Sequence, residues 1–221
     1  IVRATKAWDY PNARWKPFRF EGERFYARRG AGQGEALFIG DSNMEQYAPR
    51  IDDLIAGSSS GYLSAIFATK PGCPPIPGVV KQSNLRCDSY VRKALDYARK
   101  PKVETVVIGA FWNAPFGSSN DEYLYRGEGV PQGQGLAGDH GEAAYASLTR
   151  LISQLRKENK TVYLLLPMPT GDVFEPRAMF ERSPFAITIQ RSRGIAKSDV
   201  FSESEAVRTR LIKIAQNTGA E

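Results

Sequence analysis

Residues 36–55 read ALFIGDSNMEQYAPRIDDLI and join a short apolar run to an amphipathic segment. The run ALFIG is typical of a buried strand, and Gly40 closes it. Apolar side chains then recur at helical spacing, which predicts a helix that carries Pro49 in its first turns. A strand that leads through a tight turn into a helix is the unit from which parallel sheets are built.

The same alternation continues along the chain. Further apolar runs predict strands at 62–68, 103–111 and 161–167, and periodic segments predict helices between and after them. Four strands alternating with four helices predict an α/β fold, a three-layer α/β/α sandwich with a parallel sheet. Because ligands gather at the carboxyl ends of the strands in such sheets, we expect the chemistry in the loops that follow them.

Composition excludes several classes of protein. Hydrophobic residues make up 42% and charged residues 24% of the 221 residues, as in ordinary globular proteins. No apolar stretch approaches the roughly 18 residues of a membrane span. The 30 basic and 24 acidic residues give a net charge of +6. The basic residues are scattered along the sequence, so nucleic acid is not a predicted partner.

The chain divides into two parts by composition. Residues 1–35 are rich in aromatic and basic side chains and end in a Gly-rich run, which is typical of an extension arm or linker. The α/β domain is then expected over residues 36–221. Because the sequence begins at Ile1, we expect it to be a fragment or a processed form of a longer protein.

Two cysteines lie in a Pro-rich loop. Cys73 and Cys87 lack the further Cys or His neighbours that a zinc site requires, so no metal is predicted. A disulfide between them would imply an oxidising compartment. Two unrelated buried thiols are the alternative.

The turn after the first predicted strand contains Asp41 and Ser42. A hydroxyl at this place would lie beside the free N–H groups of a helix N-terminus, which favour the negative charge that develops on an acyl oxygen. The alternative is structural, since either residue is an ordinary N-cap.

The run FIGDSNMEQYAPRI, residues 38–51, resembles block I of the GDSL or SGNH hydrolase superfamily, in which Gly-Asp-Ser supplies the nucleophile. It is most similar to SGNH domains fused to membrane acyltransferase-3 proteins that O-acetylate bacterial surface polysaccharides such as O-antigen. The Gly-Cys-Pro-Pro at 72–75 and the Pro-x-Pro at 167–169 match further segments of those domains. The resemblance covers residues 36 to the end and implies a flavodoxin-like sheet.

The resemblance implies a set of site residues. Ser42 would be the nucleophile, and its own N–H would be one oxyanion donor. The block II glycine would be Gly72, with Gly61 as the alternative. Asn113 is the candidate block III donor, with a plain loop residue as the alternative, since Gly-Ala-Phe-Trp-Asn departs from the Gly-x-Asn-Asp spacing of the superfamily.

Further candidates surround these residues. Asp41, Asn43 and Trp112 are the predicted substrate-binding residues, and Trp112 would either wall an acyl or sugar pocket or cap the core. No cofactor is predicted.

The general base is missing from its expected place. The superfamily supplies it from an Asp-x-x-His motif after a fifth strand, whereas the sole histidine here, His140, precedes a predicted crossover helix. We interpret His140 as a loop residue. We expect the fifth strand and the base to follow Glu221.

The resemblance implies serine-dependent O-acyl transfer to, or ester hydrolysis on, a bacterial cell-surface glycan. The partners would be an acyl donor, a glycan acceptor and a membrane acyltransferase domain N-terminal to this chain, and the location would be periplasmic, tethered to the inner membrane. The alternative is a noncatalytic domain that binds a glycan or docks a partner.

Overall fold

The computed structural model describes residues 10–57, 61–117, 122–127, 133–169, 180–189, 194 and 196–221. In these residues the strands are β1 (Lys16–Phe20), β2 (Glu23–Arg28), β3 (Glu35–Gly40), β4 (Ser64–Thr69), β5 (Val79–Lys81), β6 (Val103–Gly109), β7 (Tyr123–Tyr125), β8 (Gln134–Gly135), β9 (Thr161–Leu164), β10 (Phe180–Arg182) and β11 (Ile187–Ile189). The helices are α1 (Ser42–Glu45), α2 (Ala48–Gly57), α3 (Cys87–Ala98), α4 (Asn113–Phe116), α5 (Asp139–Lys157), α6 (Lys197–Phe201) and α7 (Glu205–Thr218).

Six strands form the main sheet in the order β1-β2-β4-β3-β6-β9. The four strands β4, β3, β6 and β9 run parallel, as the sequence predicted. The chain passes from β3 to β4 on one side and then crosses back to β6 on the other side. The order of the sheet therefore reverses between β3 and β6, which is where ligands bind in open α/β sheets.

Helices cover both faces of the sheet and confirm the three-layer α/β/α arrangement. Strand β4 shows why its sequence is continuously apolar. Ala65 and Phe67 pack in the cluster that contains residues of α1 and α2, whereas Ile66 and Ala68 pack in the cluster formed with α3, α5 and α7. Burial on both sides removes the alternation of apolar and polar residues that a half-exposed strand would show.

Pro49 divides the first predicted helix into two. Proline has no N–H to donate to the carbonyl four residues earlier, which belongs to Glu45. Helix α1 ends at that residue, and α2 begins at Ala48 with Pro49 in its first turn. The short α1 therefore lies next to the turn that contains Ser42.

Two segments of the predicted arm, Lys16–Phe20 and Glu23–Arg28, are strands of the main sheet, which differs from a linker without regular structure. Strand β2 pairs antiparallel with both β1 and β4. Glu21 and Gly22 connect the hairpin, both with positive φ (48° and 84°), as a two-residue type I′ turn requires. Phe25 is fully buried in the core. Aromatic and basic residues alternate here because one face of each strand packs inward and the other faces solvent.

The segment before β1 is anchored by a buried carboxylate. Asp52 of α2 is almost inaccessible, pairs with Arg28 of β2, and lies 3.2 Å from Arg14 Nε. Tyr10 and Trp15 are buried against Phe67, and this packing holds the segment against the sheet.

Within the described part of the chain, no helix has both the length and the apolar character that crossing a lipid bilayer demands.

Cys73 and Cys87 form a disulfide, as predicted. It joins the loop after β4 to the start of α3, and both residues are buried with Val80. The bond therefore fastens the loop that contains Gly72.

We expect loss of this disulfide to lower the free energy of unfolding by about 3 kcal/mol, because closing a loop of this length restricts the unfolded chain. Urea unfolding of the oxidised and reduced protein measures the difference. Reductant should leave a Cys73→Ala/Cys87→Ala variant unchanged. Equal unfolding midpoints for the oxidised and reduced wild type would contradict the expectation.

Candidate active site

The turn after β3 and the turn after β6 touch directly at the carboxyl edge of the sheet. Gly40 and Gly109 are partners in the β3–β6 register. A Cβ atom added to Gly40 would lie 2.0 Å from the Gly109 carbonyl oxygen. Glycine at position 40 is therefore required by the close approach of the two backbones.

Asp41 caps helix α1 and fastens the turn to its neighbour. One carboxylate oxygen accepts a hydrogen bond from the Asn43 N–H at 2.8 Å, and the other accepts from the Phe111 N–H at 2.9 Å. The side chain is buried, and this desolvation raises the pKa of Asp41 although both hydrogen bonds oppose the shift. Each oxygen thus already accepts one backbone hydrogen bond, which fixes the turn after β3, and contact of Asp41 with substrate stays a prediction.

Ser42 is the first residue of α1 and is half-buried. Its backbone N–H belongs to the first turn, where helical N–H groups have no intrahelical acceptor. Within the described residues, neither this N–H nor the hydroxyl forms a hydrogen bond. The neighbouring Asn43 is also half-buried, and its N–H is bound by Asp41.

Gly72 lies in the loop after β4 with a φ of 70°. The Lys70 N–H donates to the Gly40 carbonyl at 3.0 Å and ties this loop to the end of β3. The Tyr123 hydroxyl donates to the Gly72 carbonyl at 3.2 Å and fixes the orientation of the peptide. No acceptor for the Gly72 N–H lies among the described residues. Gly61 precedes β4, at the opposite edge of the sheet from Ser42.

Trp112 and Asn113 follow β6 and have different environments. Trp112 is fully buried, and its indole N–H donates to the Leu165 carbonyl at 2.7 Å. This burial favours the core role for Trp112 over the pocket wall. Asn113 begins α4, and its buried Oδ1 atom has no hydrogen-bond partner. A buried carbonyl oxygen without a donor is costly in a folded protein, so this atom is a candidate to accept a hydrogen bond from a ligand.

The sheet brings the candidate residues to one edge. Ser42, Gly72 and Asn113 lie in the loops after β3, β4 and β6, which are adjacent strands. Neighbouring strands are about 4.8 Å apart, so the three loops lie within about 10 Å across the sheet.

His140 lies in the first turn of α5. Among the residues that the structure describes, no hydrogen bond or ion pair joins it to Ser42.

Glu45 is a further buried acid beside the serine turn, and the sequence analysis did not single it out. Its carboxylate accepts a hydrogen bond from the Thr69 hydroxyl at 2.9 Å, which links α1 to the end of β4. Burial raises the pKa of Glu45, and the nearby charge of Asp41 adds to the shift. The sequence feature that could have identified Glu45 is its place three residues after Ser42, in the first turn of a helix.

Fold and serine turn together define a three-layer α/β/α domain that presents a serine directly after the first strand of its parallel sheet. A model of the SGNH domain fused to AT3 domains matches residues 9–221, and the chain belongs to this family.

A solved structure supports the same fold. The chain is similar to the periplasmic domain of a lipopolysaccharide acetyltransferase from Salmonella ser. Paratyphi A, with 12% sequence identity and a TM-score of 0.50. The similarity covers 86% of this chain and 65% of that one, so this chain spans less than two thirds of the length of its structural neighbour. No curated protein sequence matches the chain.

Proposed function

We propose that this chain is the SGNH domain of an O-acyltransferase or esterase that acts on a bacterial cell-surface glycan through Ser42. The observation that carries the proposal is the position of Ser42 at the start of α1, at the carboxyl edge of the sheet and beside the buried cap Asp41. Membership of the family supports acyl transfer or hydrolysis as the class of reaction.

The proposed reaction has two steps. The Ser42 hydroxyl attacks the acyl carbonyl and loses its proton to a general base, and a tetrahedral oxyanion forms. The N–H groups of Ser42 and Gly72 and the amide of Asn113 donate hydrogen bonds to the oxyanion. The bond to the leaving alcohol then breaks as that alcohol takes the proton. In the second step a sugar hydroxyl or a water molecule gives its proton to the general base and attacks the acyl-serine. The bond between the acyl carbon and Ser42 Oγ then breaks, and Oγ takes the proton from the base, which restores the free serine.

We propose that the general base follows Glu221. Glu221 donates its N–H to the Val162 carbonyl, and its own carbonyl accepts from the Leu164 N–H, both at 2.9 Å. This is the bonding pattern of a parallel strand beside β9. A strand continued from Glu221 would end at the same edge as Ser42, so an Asp-x-x-His motif after it would reach the serine.

The proposed setting is the periplasm, with a membrane acyltransferase domain N-terminal to this chain. That domain would deliver the acyl group, and a glycan would accept it. The fusion of this family to AT3 domains supports the membrane partner, and the periplasmic source of the structural neighbour supports the compartment.

A second candidate function is a noncatalytic domain that binds a glycan or docks a partner. It is favoured by the lack of any imidazole bonded to Ser42 in the described residues.

The test is whether Ser42 carries an acyl group. The protein, continued past Glu221 to include the proposed base, is incubated with p-nitrophenyl acetate and quenched in acid, and the acetyl group is located by peptide mass spectrometry. Acetylation of the peptide with Ser42, lost in Ser42→Ala and retained in Ser83→Ala, is the expected result. If the wild type, Ser42→Ala and Ser83→Ala proteins were all acetylated to the same extent, the enzyme proposal would be overturned in favour of the binding domain.

A further inference from the structure

A cavity of about 340 Å³ opens beside the serine turn, between the N-terminal hairpin and the loop after β4. Its walls come from the segment before β1, from β2, α1 and α3, and from the end of β4 with the residues that follow it. The volume lies at the lower end of the range for small-molecule sites, which suits a single ring rather than an extended ligand.

The cavity lies one strand away from the candidate nucleophile. Thr69 lines it and is the register partner of Gly40, two residues before Ser42. Since neighbouring strands are about 4.8 Å apart, the wall of the cavity at Thr69 lies next to the end of β3, from which the serine turn begins. Glu45 also lines the cavity, from the same short helix that Ser42 begins.

Aromatic rings and hydroxyl groups form the walls of the cavity. Tyr10 and Tyr26 meet edge to face with centroids 5.5 Å apart. The Tyr90 hydroxyl donates to the Thr69 carbonyl at 2.9 Å, and Lys70 Nζ lies 4.9 Å from the Tyr90 ring centroid. Tyrosine combines an apolar ring face with a polar tip, which matches a ligand that is itself apolar on its faces and polar at its edges.

The charges of the cavity balance. Among the lining side chains, Glu23 and Glu45 supply two carboxylates and Arg24 and Lys70 supply two cations. Glu23 in addition pairs with Lys93, which lies outside the lining, at 3.5 Å. The carboxylates would repel a phosphate or an acidic group, and four charged side chains would desolvate poorly against a hydrocarbon. Carboxylates accept hydrogen bonds and the two cations donate them, so the set suits a neutral ligand with several hydroxyl groups. Glu45 in addition is desolvated by burial and has a raised pKa, so hydroxyl donors would stabilise its ionised form.

We propose that this cavity binds one neutral, hydroxyl-rich sugar ring of the glycan acceptor and holds its hydroxyl group toward Ser42. The proposal rests on the acyl-transfer function proposed above. The N-terminal hairpin, which widens the sheet next to β4, then has a binding role, because Glu23, Arg24 and Tyr26 of β2 form one wall.

The test measures sugar binding without turnover, in a Ser42→Ala background. Methyl β-D-galactopyranoside and methyl α-L-rhamnopyranoside are titrated separately by ligand-observed NMR, with inorganic phosphate as the anionic comparison. We expect saturable binding of at least one glycoside and none of phosphate. Glu45→Gln should weaken the affinity about tenfold, since the hydrogen bond to a charged carboxylate is replaced by a weaker one to a neutral amide. Arg24→Gln should weaken it several-fold.

Arg19→Gln is the matched control. Arg19 lies directly opposite Arg24 in the β1–β2 register and is bonded to the Gly22 carbonyl, outside the cavity lining. The Arg19→Gln substitution removes the same charge from the same hairpin as Arg24→Gln and should leave the affinity for the glycoside unchanged. Melting temperatures of the three variants show whether each remains folded, and Arg24, which is exposed, provides a variant that tests binding without disturbing packing.

Two outcomes overturn the proposal. One is the absence of saturable glycoside binding, and the other is an equal affinity in the Arg24→Gln, Glu45→Gln and Arg19→Gln proteins. Neither result bears on the acetylation of Ser42, because the experiment with p-nitrophenyl acetate uses no sugar. Conversely, a Ser42 that fails to carry an acyl group leaves the binding result standing, so the two proposals fail separately.

Discussion

Replacement of Ser42 by alanine is expected to lower the rate of acetyl ester hydrolysis about a thousandfold or more. The hydroxyl is the attacking atom in the proposed mechanism, and no neighbouring side chain can replace it, because loss of a nucleophile leaves only stabilisation by the oxyanion donors. The rate of p-nitrophenol release from p-nitrophenyl acetate measures the effect in protein continued past Glu221. The fold should persist, since the Ser42 hydroxyl makes no hydrogen bond among the described residues.

Ser83→Ala provides the control for this measurement. Ser83 is an exposed serine in the loop before α3, so its removal tests for nonspecific effects of the substitution. Wild-type and Ser42→Ala proteins with the same rate would remove Ser42 from the mechanism. If Ser42→Ala and Ser83→Ala unfold at the same midpoint, a lower rate in Ser42→Ala arises in the chemical step and not from unfolding.

Replacement of Gly40 by alanine is expected to lower the free energy of unfolding by about 3 kcal/mol or more. The new Cβ atom would lie 2.0 Å from the Gly109 carbonyl oxygen and 2.7 Å from the Met44 Cβ atom. A backbone atom cannot move aside as a flexible side chain can, so β3 and β6 must separate at their carboxyl ends. Urea unfolding monitored by circular dichroism measures the loss.

Gly57→Ala is the matched substitution for Gly40→Ala. Gly57 ends α2, and a Cβ atom there would meet no heavy atom within 4 Å. We expect the free energy of unfolding of Gly57→Ala to lie within about 1 kcal/mol of the wild-type value, because alanine at an open position mainly restricts the unfolded chain. A Gly40→Ala protein as stable as Gly57→Ala would refute the close approach of the two turns.

The sequence predicted the parallel core well because its strands are continuous apolar runs. The run ALFIG, residues 36–40, and the segment 103–111 match β3 and β6 to within two residues at each end. The hairpin of β1 and β2 was missed for a physical reason. Its strands alternate aromatic and basic residues, and Pro17 together with exposed cations makes β1 resemble a linker.

The candidate site was predictable where it depends on local sequence. Ser42 follows a strand and begins a helix, as its motif indicates. The environments of Asp41 and Trp112 depend on hydrogen bonds to residues 70 and 53 positions away, which no local pattern reveals. The same holds for Glu45, whose partner Thr69 is supplied by the neighbouring strand.

The composition of β1 also protects the protein against self-association. Among the strands that the structure describes, β1 is the outermost of the main sheet at its end, and none of them pairs with its outer side. Lys16, Pro17 and Arg19 are all exposed on it. Proline removes a ladder donor, and like charges on two approaching copies repel each other, so edge-to-edge pairing is disfavoured. The added hairpin thus extends the sheet and ends it in a strand whose composition opposes further pairing.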